Sequence, residues 1–218
     1  MPDGFERLVA DLAAAEIGST FNFLRDEVAD LDLPDAAATR RANLLHYLRS
    51  RAEAPIVALG EAAGYAGARW SGIAFTSERT LSRWGAPYAG TFAGPKVWSE
   101  QAATIVHGVL DELDVDGYVL LWNTVPTHPH LPGRPLTNRT PTASERAAGA
   151  VFAHRLLTLV QPAVVVAVGR LAEREVEEAR YVRHPSNAGA TAFTAGVREI
   201  VEELRRSGRL PPPRTDPR

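Results

Sequence analysis

Residues 55–75 read PIVALGEAAGYAGARWSGIAF, and the rest of the chain can be placed from this stretch. Its apolar run Ile56-Val57-Ala58-Leu59, bracketed by Pro55 and Gly60, is too short for a helix and predicts a buried strand. Gly60, Gly64, Gly67 and Gly72 follow, and glycine lets another molecule come close to the backbone. Glu61 and Phe75 stand within the loop that these glycines form. A strand that runs into such a loop delivers site residues at the carboxyl edge of a parallel sheet.

Downstream, Tyr118-Val119-Leu120-Leu121-Trp122 predicts a second buried strand that ends at Asn123. The proline-rich stretch TVPTHPHLPGRPLTNRTPT after it is stiff. Thr142-Ala143-Ser144-Glu145 has capping-box spacing and opens a helix to about Leu159. Ala163–Val168 is the most apolar strand, closing at Gly169, where another helix opens. Tyr181-Val182-Arg183 is a last short strand that delivers His184-Pro185-Ser186-Asn187. Phe193, Val197, Ile200, Val201 and Leu204 mark an amphipathic helix. Residues 207–218 read as a frayed tail.

Upstream, residues 1–54 read as helices that form a packing layer, with Pro34 as the first residue of one of them. Residues 77–98 are broken by Gly85, Pro87, Gly90, Gly94 and Pro95 and read as irregular, with a short strand at Thr91-Phe92-Ala93. Helical pattern resumes over Ser99–Leu113. The alternation predicts an α/β fold, a three-layer α/β/α sandwich around a short, mostly parallel sheet. The expected division is a helical segment 1–54 that packs on the same domain, an α/β domain 55–206 and a flexible tail 207–218.

Composition narrows the function. The chain of 218 residues is 45% hydrophobic and 23% charged, as in ordinary globular proteins. It has no cysteine, which excludes disulfides, thiolate catalysis and cysteine-held metal clusters. No run reaches the length of a membrane span and the amino terminus is unlike a secretion signal, so a cytoplasmic protein with no membrane partner is expected. The net charge of −2 does not advertise nucleic acid. Yet residues 62–77, 117–144 and 179–198 hold no Asp or Glu while containing Arg69, Arg134, Arg139, Arg180, Arg183 and Arg198, which predicts a surface kept free of negative charge.

The three loops Gly60-Glu61-Ala62-Ala63-Gly64, Trp122-Asn123-Thr124-Val125-Pro126 and His184-Pro185-Ser186-Asn187 together resemble the signature loops of the uracil-DNA glycosylase superfamily. LLWNTVPTHPHLPGRPLTNRTPTASE and VVVAVGRLAE are similar to the thermophile-type branch, and Arg69–Phe75 resembles the aromatic-bearing segment of the single-strand-selective branch. The likeness runs in order from Pro55 to Val201. Four departures stand out: Ala62 where the superfamily often has Asp or Asn, Ala63 and Ala74 for prolines, and Thr127 about where a cysteine of the thermophile-type iron–sulfur cluster would fall.

The resemblance implies a monofunctional glycosylase that removes uracil from DNA without a cofactor, with DNA containing uracil or another damaged base as partner; a monomer is expected. Such an enzyme flips a nucleotide into a pocket. Phe75 is then the stacking platform, with Gly60 and Gly64 beside the base. Asn123 reads the base edge, since an amide offers both a donor and an acceptor. His184 supports the negative charge that develops on the base as the N-glycosidic bond breaks. Glu61 either orients the attacking water or serves as a helix cap or an arginine partner. Ser186, Asn187, Arg183 and Arg139 are expected to hold DNA phosphates, with helix capping as the other reading of Asn187. The segment Ala188-Gly189-Ala190-Thr191 has no bulky wedge, which favours single-stranded or mispaired substrate. His128-Pro129-His130 lacks a third metal ligand and reads as loop packing. Excision of hypoxanthine, xanthine or an oxidised pyrimidine, and non-catalytic binding of lesions, are the alternatives.

Overall fold

The computed structural model describes residues 3–213. Helix α1 (Gly4–Ala14) starts with a capping box in which Asp3 and Glu6 each accept the other's backbone N–H, and it buries Leu8, Val9 and Leu12. Helix α2 (Ala36–Ser50) starts two residues after Pro34, because Pro34 and Asp35 form a turn closed by Ala36 N–H donating to Leu33 O at 3.1 Å. Strand β1 (Ile56–Ala62) leads to the short α3 (Ala68–Ser71) and to α4 (Glu78–Trp84). Then come α5 (Gln101–Glu112), β2 (Val119–Val125), α6 (Ala143–Val160), β3 (Val164–Val168), α7 (Arg170–Glu173), β4 (Arg180–Val182) and α8 (Ala190–Arg206).

The sheet is parallel throughout, in the order β2-β1-β3-β4. One face, carrying Ile56, Ala58, Val119, Leu121, Val166 and Val168, packs on Val106 and Leu110 of α5 and on α8. The other face meets α1, α2 and α6, with Trp122 among Leu12, Phe23, Leu24 and Leu44. The three-layer sandwich is therefore present, and residues 3–54 contribute to its core. At the β2 edge, Leu121 N–H donates to the buried Tyr47 hydroxyl at 2.8 Å, so a side chain from α2 occupies the place of a neighbouring strand.

Three expectations need correction. Strand β1 continues through Gly60 and Glu61 to Ala62, and β2 continues past Asn123 to Val125, because the ladder holds as far as Ala62 opposite Val125. Pairing with a neighbour overrides the weak strand preference of Gly, Glu and Asn. Residues 77–98 contain α4, and the rest of that segment is gathered by Glu78, whose carboxylate accepts N–H bonds from Thr91 (2.8 Å), Phe92 (2.9 Å) and Trp98 (3.2 Å). The tail folds back in part: Leu210 is buried and its N–H donates to Leu204 O, while residues 214–218 of the expected tail lie outside the described residues.

Asp32 makes the deepest polar contact. It receives Arg40 at 2.7 Å and both Arg69 terminal nitrogens at 2.8 and 2.9 Å, with all three side chains at most 1% exposed. Burial opposes its ionisation, but Arg69 and the Val28 N–H prevail and hold the carboxyl below the usual carboxylate range. Removing the charge of Asp32 leaves two buried guanidinium groups uncompensated. Asp32→Asn is expected to lower stability by about 3–5 kcal/mol in urea unfolding. Asp11→Asn, at an exposed pair with Arg155, is expected to leave the unfolding midpoint unchanged.

Candidate active site

The parallel register sets Gly60 of β1 directly beside Asn123 of β2. Phe75 arrives from the turn after α3, with a left-handed φ of 50°. That conformation is costly for a residue with a side chain. It is held by the Ser71 hydroxyl, which sits 3.0 Å from Ile73 N–H and 2.7 Å from Thr76 O. A Cβ on Gly60 would stand 2.5 Å from Phe75 Cζ and 2.6 Å from Asn123 Oδ1. Only glycine lets the ring and the amide meet above this strand.

His184 follows β4 and comes within 6.2 Å of the Phe75 ring, centroid to centroid. Ser186 N–H donates to His184 Nδ1 at 3.2 Å. An accepting Nδ1 places the proton of the neutral ring on Nε2. Burial, with Arg183 alongside, holds the ring below the ordinary histidine value, so it stays neutral at neutral pH. The Glu61 carboxyl is half-buried; burial raises its pKa, while Arg146 acts in the opposite sense.

Glu61, Phe75, Asn123 and His184 line one cleft of about 400 Å³, together with Gly64 and, from the proline-rich stretch, Pro129, Asn138 and Thr140. Asn138 Oδ1 accepts Tyr65 N–H at 2.9 Å, so the proline-rich stretch is latched to the turn after β1. A ring, an amide, an imidazole donor and a carboxylate thus border one hollow at the carboxyl ends of β1, β2 and β4. A sequence profile described as the Uracil DNA glycosylase superfamily matches residues 49–205.

The chain belongs to the uracil-DNA glycosylase superfamily.

Members of this superfamily are DNA glycosylases, and the chain is a glycosylase-type hydrolase that acts on DNA. Among solved structures, the crystal structure of SMUG2 from Pedobacter heparinus is similar in fold, with a TM-score of 0.66 over 96% of this chain and 100% of that chain, at 10% sequence identity. No curated protein matches the chain in sequence.

The structure also places the residues expected at phosphates. Ser186 and Asn187 sit at the cleft's His184 side, with Asn187 exposed and in the left-handed region. Asn187 does not cap α8, whose capping residue is Gly189. Arg183 is exposed and meets no carboxylate among the described residues. Arg139 is a correction. It lines the cleft, but its guanidinium bonds both Glu145 oxygens at 2.6 and 2.7 Å, His130 O, Thr140 O and the Ser19 hydroxyl, so its five N–H groups are already engaged. Those bonds hold Glu145 at a pKa of about 2. The acid-free stretches mislead in the same way elsewhere. Arg69 is buried on Asp32, Arg180 pairs with Glu199 and Glu203, and Arg198 pairs with Glu112.

Glu100 is the ionisable residue of the cleft lining that the sequence did not mark. It stands just before α5, where an acid reads as an ordinary helix start, and nothing in its spacing points across to β1.

His128 is a buried positioning residue. Its Nδ1 lies 2.9 Å from Ala63 O and its Nε2 3.2 Å from Pro135 O, which ties the proline-rich stretch to the first loop. Burial depresses its pKa from 6.5 to about 4. The unfolded chain takes up this proton first, so the contribution is present above pH 6.5 and is lost as pH falls toward 4. The melting temperature is therefore expected to fall less steeply between pH 6.5 and 4 in His128→Gln than in the unchanged protein.

Proposed function

We propose that this chain is a monofunctional uracil-DNA glycosylase that hydrolyses the bond between uracil and deoxyribose. The observation that carries the reading is the meeting of Glu61, Phe75, Asn123 and His184 around one cleft. A deoxyuridine turned out of the stack lays its face on Phe75, a contact worth about 1–3 kcal/mol that ignores base identity. The Asn123 amide then supplies the identity, donating to O4 and accepting from N3–H, a pattern that cytosine does not match. As the glycosidic bond stretches, negative charge gathers at O2, where the Nε2–H of a neutral His184 donates to it. Glu61 takes a proton from water as the water oxygen bonds to C1′ and stabilises the cationic sugar in the meantime.

Strand cleavage is not expected. It needs an amine that attacks C1′, and the only lysine of the sequence, Lys96, does not line the cleft: its Nζ sits 3.9 Å from the centre of the Trp98 ring. Arg183, Ser186 and Asn187, exposed or half-buried on the His184 side of the cleft, hold phosphates beside the flipped nucleotide in this reading. The small side chains of residues 188–191 suit single-stranded or mispaired uracil better than intact duplex.

A second reading, excision of another deaminated or oxidised base, draws on Ala62 and Ala63, whose small side chains line the cleft.

The test is release of free uracil from single-stranded and duplex oligonucleotides. Uracil and an alkali-sensitive abasic site are expected without strand nicking, and no release from either substrate would remove uracil as the substrate. His184→Ala is expected to lower kcat by about 10²–10³-fold, and Glu61→Gln by about 10²-fold or more. Gly60→Ala is expected to fold but to lose uracil excision, because the added methyl forces Phe75 and Asn123 apart.

A further inference from the structure

The glycosylase reading uses one carboxyl of the cleft, Glu61, and leaves a second unexplained. Glu100 occupies the capping position of α5, yet its side chain caps nothing. Its two oxygens lie instead against the turn after β1, in the space that a side chain on Gly64 or Gly67 would fill. The absence of side chains at two glycines therefore gives this carboxyl its place in the cleft wall. Among the described residues no donor or cation meets it.

The ionisable groups around it are few. Glu61 and His184 line the same cleft, Arg139 is bound to Glu145, and Lys96 lies over Trp98 on the segment that leads to Glu100. Glu100 is half-buried, and a carboxylate drawn partly out of water without a partner is costly. Burial accordingly pushes Glu100 up to about 7; burial raises Glu61 as well, but there Arg146 opposes it, and Glu100 has no such counter-charge. Two carboxyls held in unlike surroundings divide into a base and an acid.

We propose that Glu100 is a catalytic acid that gives its proton to the departing base, extending the substrates to bases that leave poorly as anions and carry a basic ring nitrogen. This rests on the glycosylase reading of the cleft. The bond between C1′ and the base nitrogen breaks, with its electron pair going to the base. Glu100 O–H delivers a proton to a ring nitrogen of that base, and Glu61 takes a proton from the water whose oxygen bonds to C1′. The products are a neutral free base and an abasic deoxyribose. Glu100 ends one proton short, and Glu61 ends one proton over with the proton taken from water; exchange with solvent restores both. Uracil, whose charge His184 supports at O2, needs this donor least.

Single-turnover excision of hypoxanthine and of uracil from matched oligonucleotides, from about pH 5.5 to about pH 8.5, by the unchanged protein and by Glu100→Gln, tests the proposal. The hypoxanthine rate is expected to fall as pH rises through about 7. In Glu100→Gln that limb is expected to vanish, with hypoxanthine excision at low pH slower on the order of 10²-fold and uracil excision affected much less. Uracil release without any hypoxanthine release by the unchanged protein would overturn the proposal while leaving the uracil reading intact. The same limb persisting in Glu100→Gln would also overturn it, as would equal losses on both bases. Release of neither base would overturn the glycosylase reading itself, and the acid with it.

Discussion

Asp32 sits where the helical layer of the first fifty residues meets the loops of the site, and its carboxylate holds Arg40 of α2 and Arg69 of α3 with almost no contact with water. Arg69 is also flanked by rings, Phe21 at 4.7 Å and Trp70 at 3.8 Å from its guanidinium carbon. Such a group is costly to assemble and still more costly to break, since any one member left alone is a buried unpaired charge. It makes α3 and α2 a single body. Gly72, with φ of 82°, completes the junction, because a Cβ there would fall 2.5 Å from Arg40 O. Phe75 emerges three residues later, so the position of the stacking ring follows from an ion cluster that never touches the cleft.

The same device recurs wherever the chain lacks regular structure. Glu78 collects three backbone N–H groups of the irregular segment before α5. Glu145 collects Arg139, Thr142 N–H and Ser19 N–H, and so fixes the end of the proline-rich stretch to the segment after α1. Thr127, about where a cluster cysteine falls in the thermophile-type branch, instead bonds the Thr20 hydroxyl at 2.6 Å. Buried acids and short hydroxyl contacts fasten these loops in a chain without cysteine.

Much of this was legible in the residues. The four strands, the capping box at Thr142 and the amphipathic face of α8 all follow from local pattern, and the ordered loops led to the family. The places where the reading failed share a physical cause, namely partners far away in sequence. Nothing near Arg69 announces that Asp32, thirty-seven residues upstream, will take up its charge, and Glu145, six residues from Arg139, read only as a helix-capping acid, so acid-free stretches looked like a binding surface. Helix α4 was hidden because Gly85 and Pro87 closely follow it, while the tertiary anchor that stabilises it, Glu78, is invisible to local propensity. Glu100 escaped notice because its role depends on two glycines more than thirty residues upstream. Strand ends were misplaced where the ladder, rather than residue preference, decides how far pairing continues.

The treatment of the sheet margins has its own consequence. On the β2 side the Tyr47 hydroxyl has already taken the Leu121 N–H, and on the other side β4 is three residues long. Exposed ladders are what a second chain uses to add itself to a fold. Here one flank has a ladder donor already taken by a side chain and the other is short, so little backbone is left at either margin for another strand to extend.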